Sequence, residues 1–330
     1  MVCNRNKKGP WRWRASVPAS RKKGRATASR LAVRTLAPLR LCERFFIWVF
    51  AVFFCTAFSV FAQAQKPVVF VSIPPQVWLV KQIAGDTVEA QTLLPAGANP
   101  HTFEPTARQA RKFAEASLML TVGLAFERQL VKQAQKLNPK LTVAPMDAEI
   151  EKLGAHEGHR HVPGMPCGCG EDGDPHIWLS PRLYAVMASN TTAALSQLLP
   201  ASRTVFEARR DTVVSEIQKI DAELQRTLEA VPIKTYVVYH PSWTYFAKDY
   251  GLTLLVIEQD GKTPAAKHLT SISAQAKAAG VRKVLTEPQY DKRPAQTVAK
   301  QLGISVDVIN TLQEDWPALM RDAASVFTKF

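Results

Sequence analysis

"SRTVFEARRDTVVSEIQKIDAELQRTLEAV" occupies residues 202–231, between two halves of the chain that read alike. Val213, Ile217, Ile220, Leu224 and Leu228 recur at three- and four-residue spacing, with no glycine or proline among them. The pattern predicts one helix of about 30 residues, hence about 45 Å long. A helix of that length can back two lobes at once. It would act as a stiff spine, unlike the flexible strands that hinge many two-lobed binders.

On its N-terminal side, short apolar runs alternate with helical stretches. "KPVVFVSI" (66–73), "TVEAQTLL" (87–94), "LMLTVG" (118–123) and "LTVAP" (141–145) read as strands. "QVWLVKQIAG" (76–85), "TARQARKFAEA" (106–116) and "AFERQLVKQAQKL" (125–137) read as helices, the first ended by Gly85. On the C-terminal side "KTYVVYH" (234–240), "LTLLVIE" (252–258), "VRKVLTE" (281–287) and "ISVDVI" (304–309) repeat the scheme, and "DWPALMRDAASVF" (315–327) closes it as a helix. Strands alternating with helices imply parallel sheets covered on both faces. The expected fold is therefore α/β, two lobes, each a mostly parallel sheet flanked by helices, joined by one long backbone helix. The expected boundaries are an N-terminal lobe at 65–200, a linking helix at 201–232 and a C-terminal lobe at 233–330. Residues 154–174, rich in Gly, His, Cys and acid and without periodicity, read as a surface loop.

The formal charge of +14 belongs to the N-terminus: residues 1–44 carry 13 Lys and Arg against one acid, Glu43. The rest holds 29 basic and 27 acidic residues, which argues against a nucleic-acid surface. "FFIWVFAVFFCTAFSVF" (45–61) follows without a charge, then Ala62-Gln63-Ala64. A basic stretch, an apolar run and an A-x-A site predict a secretory signal over 1–64, cleaved before Gln65. The apolar run of about 17 residues is at the short limit for a membrane anchor. Of the five cysteines only Cys167 and Cys169 lie beyond that site, too few for a disulfide framework. A bridge between them would close a very small, strained ring, so thiolates for metal capture are at least as good a reading.

Three histidines occupy suggestive places. His101 lies in "LLPAGANPHTFEPTARQ", between a strand and a helix; His240 ends the strand "KTYVVYH"; His176 follows the loop in "GDPHIWLSP". Ligands of open α/β sheets sit beyond the carboxyl ends of strands. A lone histidine is more often a satisfied core residue than a ligand, but three at the rims of both lobes suit zinc and other late first-row metals. Trp78, Trp178, Trp243 and Trp316 read as core or inter-lobe packing, and His268, near a helix start, as exposed.

"GANPHTFEPTARQARKFAEASLMLTVGLAFE", "DPHIWLSP", "VYHPSWTYFAKDYGL" and "VLTEPQYDKRPAQTVAKQLGISV" resemble, in order, the metal-site segments of the TroA-like, cluster A-I substrate-binding proteins of bacterial ABC metal importers. The resemblance spans about residues 67–315 and is strongest to the zinc-binding members. It implies two α/β lobes joined by a long helix, with one metal between them. It also implies His101, His176 and His240 as ligands of Zn²⁺. Manganese members usually present a carboxylate where this chain has His240, and three imidazoles shift the preference toward zinc.

The fourth position departs from the family pattern. Many members carry an Asp where "VINTLQED" places Asn310, and Pro100 stands where some zinc members have a Glu. The weakly ligating Asn310 amide, water, a nearby carboxylate or a loop histidine are candidates, with Glu104 and Glu287 as further ligands or supporting acids. His156, His159 and His161 sit in the insertion that zinc members often carry. With Cys167 and Cys169 they read either as a low-affinity collector of metal or as a tolerated solvated loop.

The function implied is a monomeric periplasmic zinc carrier that is not an enzyme and hands its ion to the membrane permease of an ABC importer. Affinity is expected to fall as pH drops through the histidine range. The competing readings are a manganese-binding or adhesion-type member of the same family, and a zinc hydrolase, which would need a general base beside the metal.

Overall fold

All eight segments read as strands form strands, in two parallel sheets. A computed structural model describes residues 65–154, 173–259 and 264–328; the expected signal segment, His156, His159, His161, Cys167 and Cys169 lie outside them. The first sheet holds β1 (Val68–Val71), β2 (Glu89–Thr92), β3 (Leu118–Thr121) and β4 (Thr142–Pro145) in the order β2-β1-β3-β4. The second holds β5 (Thr235–Val238), β6 (Thr253–Val256), β7 (Lys283–Thr286) and β8 (Ser305–Val308) in the order β6-β5-β7-β8. Every pairing is parallel. The central strands are almost wholly buried, as covering both faces of a parallel sheet requires.

The helices flanking the first sheet are α1 (Pro74–Ala84), α2 (Ala107–Ala114) and α3 (Ala125–Leu137). Gly85 stops α1 with φ of 59°, a conformation that a side chain would strain. Thr106 caps α2 by accepting from Gln109 N, and Gln109 returns the bond to Thr106 N. The Glu127 carboxylate accepts from the backbone N–H groups of Val122, Gly123 and Leu124, closing the turn into α3.

Two long helices follow: α4 (Pro181–Leu198), begun by Ser180 accepting from Leu183 N, and α5 (Arg203–Glu229). The spine is α5. Its 27 residues are slightly fewer than expected because the chain turns through a short 3₁₀ segment at Pro200–Ser202 first. Phe206, Val213, Ile217, Ile220, Leu224 and Leu228 are its buried stripe. It packs on α1 and α4 on one side and on α6 (Thr244–Tyr250) and the C-terminal α9 (Trp316–Thr328) on the other. The second sheet is covered by α7 (Ala266–Ala278) and α8 (Arg293–Leu302) as well.

One hydrophobic cluster runs through both halves, from Val69 to Phe327. Trp178, Trp243 and Trp316 are fully buried in it, while Trp78 is half-buried and stacks on Tyr184. Trp178 Nε1 donates to Thr311 O at 2.9 Å, and Trp316 Nε1 donates to Trp178 O at 2.7 Å. Aromatic packing and paired indole donors thus tie the segment that follows the first sheet to the second half. His268 differs from expectation: it is half-buried and its Nε2 lies 3.1 Å from Val256 O. No helix among the described residues is long and apolar enough to cross a membrane.

Candidate metal site

In each sheet the strand order reverses beside the first strand, between β1 and β3 and between β5 and β7. A crevice opens beyond the carboxyl ends at such a point. His240 stands two residues past β5, at the start of a 3₁₀ turn, Pro241–Trp243. His101 lies in the turn-rich segment after β2, where Asn99 Oδ1 accepts from its backbone N–H at 2.8 Å. His176 opens the 3₁₀ turn Ile177–Leu179 that leads into α4.

These three side chains, 75 and 64 residues apart along the chain, converge. His101 Nε2 lies 3.2 Å from His176 Nε2, and His240 Nε2 lies 3.4 Å from it. One ring nitrogen from each falls within 4.8 Å of the others. A tetrahedral ion with metal–nitrogen bonds of about 2.0–2.1 Å would space its nitrogens by about 3.3–3.4 Å. The two measured separations fit that edge. His176 and His240 are buried; His101 is exposed as a residue, with its ring against the other two at 5.2 and 4.7 Å between centroids.

Two carboxylates fix the rings. Asp174 Oδ1 accepts from His176 Nδ1 at 2.7 Å and from His176 N at 2.9 Å. Glu258 Oε2 accepts from His240 Nδ1. Each bond places the proton on Nδ1 and leaves the Nε2 lone pair facing the shared centre. The register explains the second pair: Val238 of β5 is opposite Val256 of β6, so the chains leave the sheet with His240 beside Glu258. Tyr290 stacks on the His240 ring at 4.9 Å, and Trp178 packs 5.1 Å from the His176 ring.

Protonation of His101 and His240 is disfavoured. Burial, then the neighbouring His176 and His240, drives His101 down to about 2. Burial lowers His240 too, although its bond to Glu258 pulls the other way. Both shifts favour the neutral form of the ring, the form able to ligate.

The cavity around the three rings measures about 10 Å³ and is walled also by Pro100, Trp178, Ser242, Gln289, Tyr290, Thr311 and Leu312. Among the described residues, no carboxylate is in these walls. Glu104 is exposed and lines a neighbouring groove of about 370 Å³ that meets the site only at His101. Glu287 is buried behind the wall, accepting from Ser242 Oγ at 2.6 Å, and burial pushes its carboxyl up to about 8. Asn310 is exposed; its Oδ1 accepts from Gln289 Nε2 at 3.0 Å and from Leu312 N at 3.1 Å.

Sequence reasoning brought out the three histidines and passed over Asp174, Glu258 and Gln289. Asp174 was visible as the acid two residues before His176, and Glu258 as an acid at the carboxyl end of a strand neighbouring the one that bears His240.

The family described as zinc-uptake complex component A, periplasmic (ZnuA) matches residues 69–330. Zinc-binding protein AdcA of Streptococcus pyogenes serotype M6 is 25% identical over 310 residues, which cover 89% of this chain and 59% of AdcA. The chain thus spans about 59% of the length of such curated relatives. High-affinity zinc uptake system protein ZnuA of Bacillus subtilis is 25% identical over 257 residues, covering 76% of this chain and 80% of that protein. A crystal structure of ZnuA superposes with a TM-score of 0.73 at 29% identity, covering 80% of this chain and 98% of the other. With the family matched from the first strand through the last helix, and two parallel-sheet lobes bracketing a three-histidine cluster, this chain belongs to the ZnuA family.

Proposed function

We propose that this chain captures Zn²⁺ between its two lobes and delivers it to the membrane permease of an ABC-type zinc importer. The observation that carries the reading is the convergence of three imidazole Nε2 atoms at separations that suit one tetrahedral ion. His101, His176 and His240 are the ligands. Three neutral nitrogen donors without a carboxylate favour Zn²⁺ over the harder Mn²⁺. The names of AdcA and ZnuA, both zinc proteins, point the same way.

The ion is cargo, and the protein a carrier. A zinc hydrolase needs a general base at the metal. Glu104 is turned to a separate groove, and Glu287 is held by Ser242. The hydrophobic cluster that spans both halves supports a site formed in advance, with the long helix as a fixed back. On this reading residues 65–200 and 233–330 are the two lobes, 201–232 the link, and 1–64 an export signal cleaved before a monomeric periplasmic life.

Competitive titration of the purified protein tests the proposal. One tight Zn²⁺ site per chain is expected, far stronger than Mn²⁺ binding, and lost in His240→Ala. Equal or stronger Mn²⁺ binding would overturn the zinc assignment, and wild-type affinity in His240→Ala would overturn the site.

A further inference from the structure

We infer that Gln289 Oε1 is the fourth donor to the ion, in the place where relatives of this chain were expected to use a carboxylate; the inference rests on the three-histidine reading above. Among the described residues five buried side-chain atoms have no hydrogen-bond partner: Ser196 Oγ, Trp243 Nε1, Thr286 Oγ1, Glu287 Oε2 and Gln289 Oε1. Of these five residues, only Gln289 lines the three-histidine cavity. A buried carbonyl oxygen without a donor is destabilising, and native proteins keep such an atom where an ion or a water completes it.

The orientation of that amide follows from its neighbours. Leu312 N donates to Asn310 at 3.1 Å, and a backbone N–H can be accepted only by the Asn310 oxygen, not by its NH₂. The group of Gln289 that meets the same Asn310 Oδ1 at 3.0 Å must then be its NH₂. Oε1 is left on the other branch of the amide, without a partner. Asn310 therefore acts at one remove, as the residue that holds the Gln289 amide.

The size of the cavity favours a protein donor over a water. At about 10 Å³ it has the room of a single water-sized body. An ion among the three nitrogens takes up most of that room, which favours a donor from the wall beside it. An amide carbonyl is a neutral oxygen ligand, harder than imidazole and weaker than carboxylate. Three nitrogens and one neutral oxygen leave the loaded site with the full charge of the ion, offset by Asp174 and Glu258 behind the rings.

The experiment uses Gln289→Leu, which removes the oxygen, and Gln289→Glu, which keeps one, beside wild type and His240→Ala. Zn²⁺ affinity is measured by competition with a chromophoric chelator, and Co²⁺ is used as a spectroscopic stand-in. Gln289→Leu should weaken Zn²⁺ binding by about 10–100-fold, the range seen when groups around a metal are lost. It should also shift the visible bands of the Co²⁺ form and leave the melting temperature of the metal-free protein unchanged or higher. Gln289→Glu should recover most of the affinity. An unchanged Co²⁺ spectrum and affinity in Gln289→Leu, with binding still lost in His240→Ala, would show that water fills the fourth position and would sink this inference while leaving the three-histidine site standing. A fall in metal-free melting temperature matching the loss in the loaded form would assign Gln289 a structural role only, and would equally overturn it. Should neither His240→Ala nor Gln289→Leu alter binding, the underlying site reading fails first.

Discussion

Replacing Glu258 by Gln should weaken zinc binding without touching a ligand. Glu258 accepts the Nδ1 proton of His240, and both side chains are less than a tenth exposed. Glutamine keeps an oxygen that can accept the same proton but removes the negative charge. The imidazole becomes a poorer donor and the ion loses a nearby countercharge. Loss of such supporting groups lowers metal affinity by about 10–100-fold, or about 1.4–2.8 kcal/mol.

A melting curve converts this into a temperature. At a thousandfold excess over Kd, zinc stabilises the wild type by about 4 kcal/mol. A thirtyfold weaker site at the same zinc concentration retains about 2 kcal/mol. For a domain of this size about 1 kcal/mol corresponds to roughly 2–4 °C, so the zinc-induced rise should shrink by roughly 4–8 °C. Glu287→Gln is the matched control, since Glu287 is hydrogen-bonded by Ser242 rather than by a histidine of the site. Its affinity should stay within about threefold of wild type, a change of about 0.6 kcal/mol. The reasoning is refuted if Glu258→Gln binds zinc like wild type, or if Glu287→Gln loses as much.

Two further outcomes are expected. Burial raises Glu287 to about 8, whereas in the unfolded chain it titrates near the usual glutamate value. The folded form then holds a proton that the unfolded form has released, so this stabilisation is complete below about pH 4.5 and is lost as pH rises through about 8, at up to about 1.4 kcal/mol per pH unit. Urea unfolding of metal-free protein at pH 6 and pH 9 should show that decline in wild type and a flatter profile in Glu287→Gln; identical profiles would count against it. Deleting residues 156–171 should leave the tight site and the fold intact while lowering total zinc uptake per chain, because the loop is closed at its base by Asp174 N donating to Leu153 O at 2.9 Å. A large loss at the tight site on equilibrium dialysis would instead give a loop histidine or cysteine a ligand role.

The strands were legible because a parallel sheet buried on both faces demands unbroken apolar runs, and "YVV" in β5 or "VLT" in β7 has no other economical use. The long spine was legible for the opposite reason, an apolar stripe at helical spacing over seven turns. The fully formed α4 was harder to see. Tyr184, Met187, Ala188, Thr191, Thr192 and Leu195 make its buried face at helical spacing, but two of them are threonines. Their hydroxyls are satisfied by Met187 O and Ala188 O within the helix, so they bury as well as apolar residues while reading as polar.

The site divides along a similar line. Histidines at strand ends announce themselves by type and place. The groups that make them a site are set by pairings between distant segments. His240 and Glu258 are 18 residues apart and meet only because β5 and β6 run parallel with Val238 opposite Val256. Gln289 gains its meaning only from Asn310, 21 residues on, whose own orientation is fixed by the backbone of Leu312. Ligand identity is thus written locally, in residue chemistry, whereas ligand orientation is written in register and loop closure. It follows that a variant preserving every histidine but shifting β6 by one residue against β5 would lose the Glu258 contact and the fixed tautomer of His240 together, since one step of register turns each side chain to the other face.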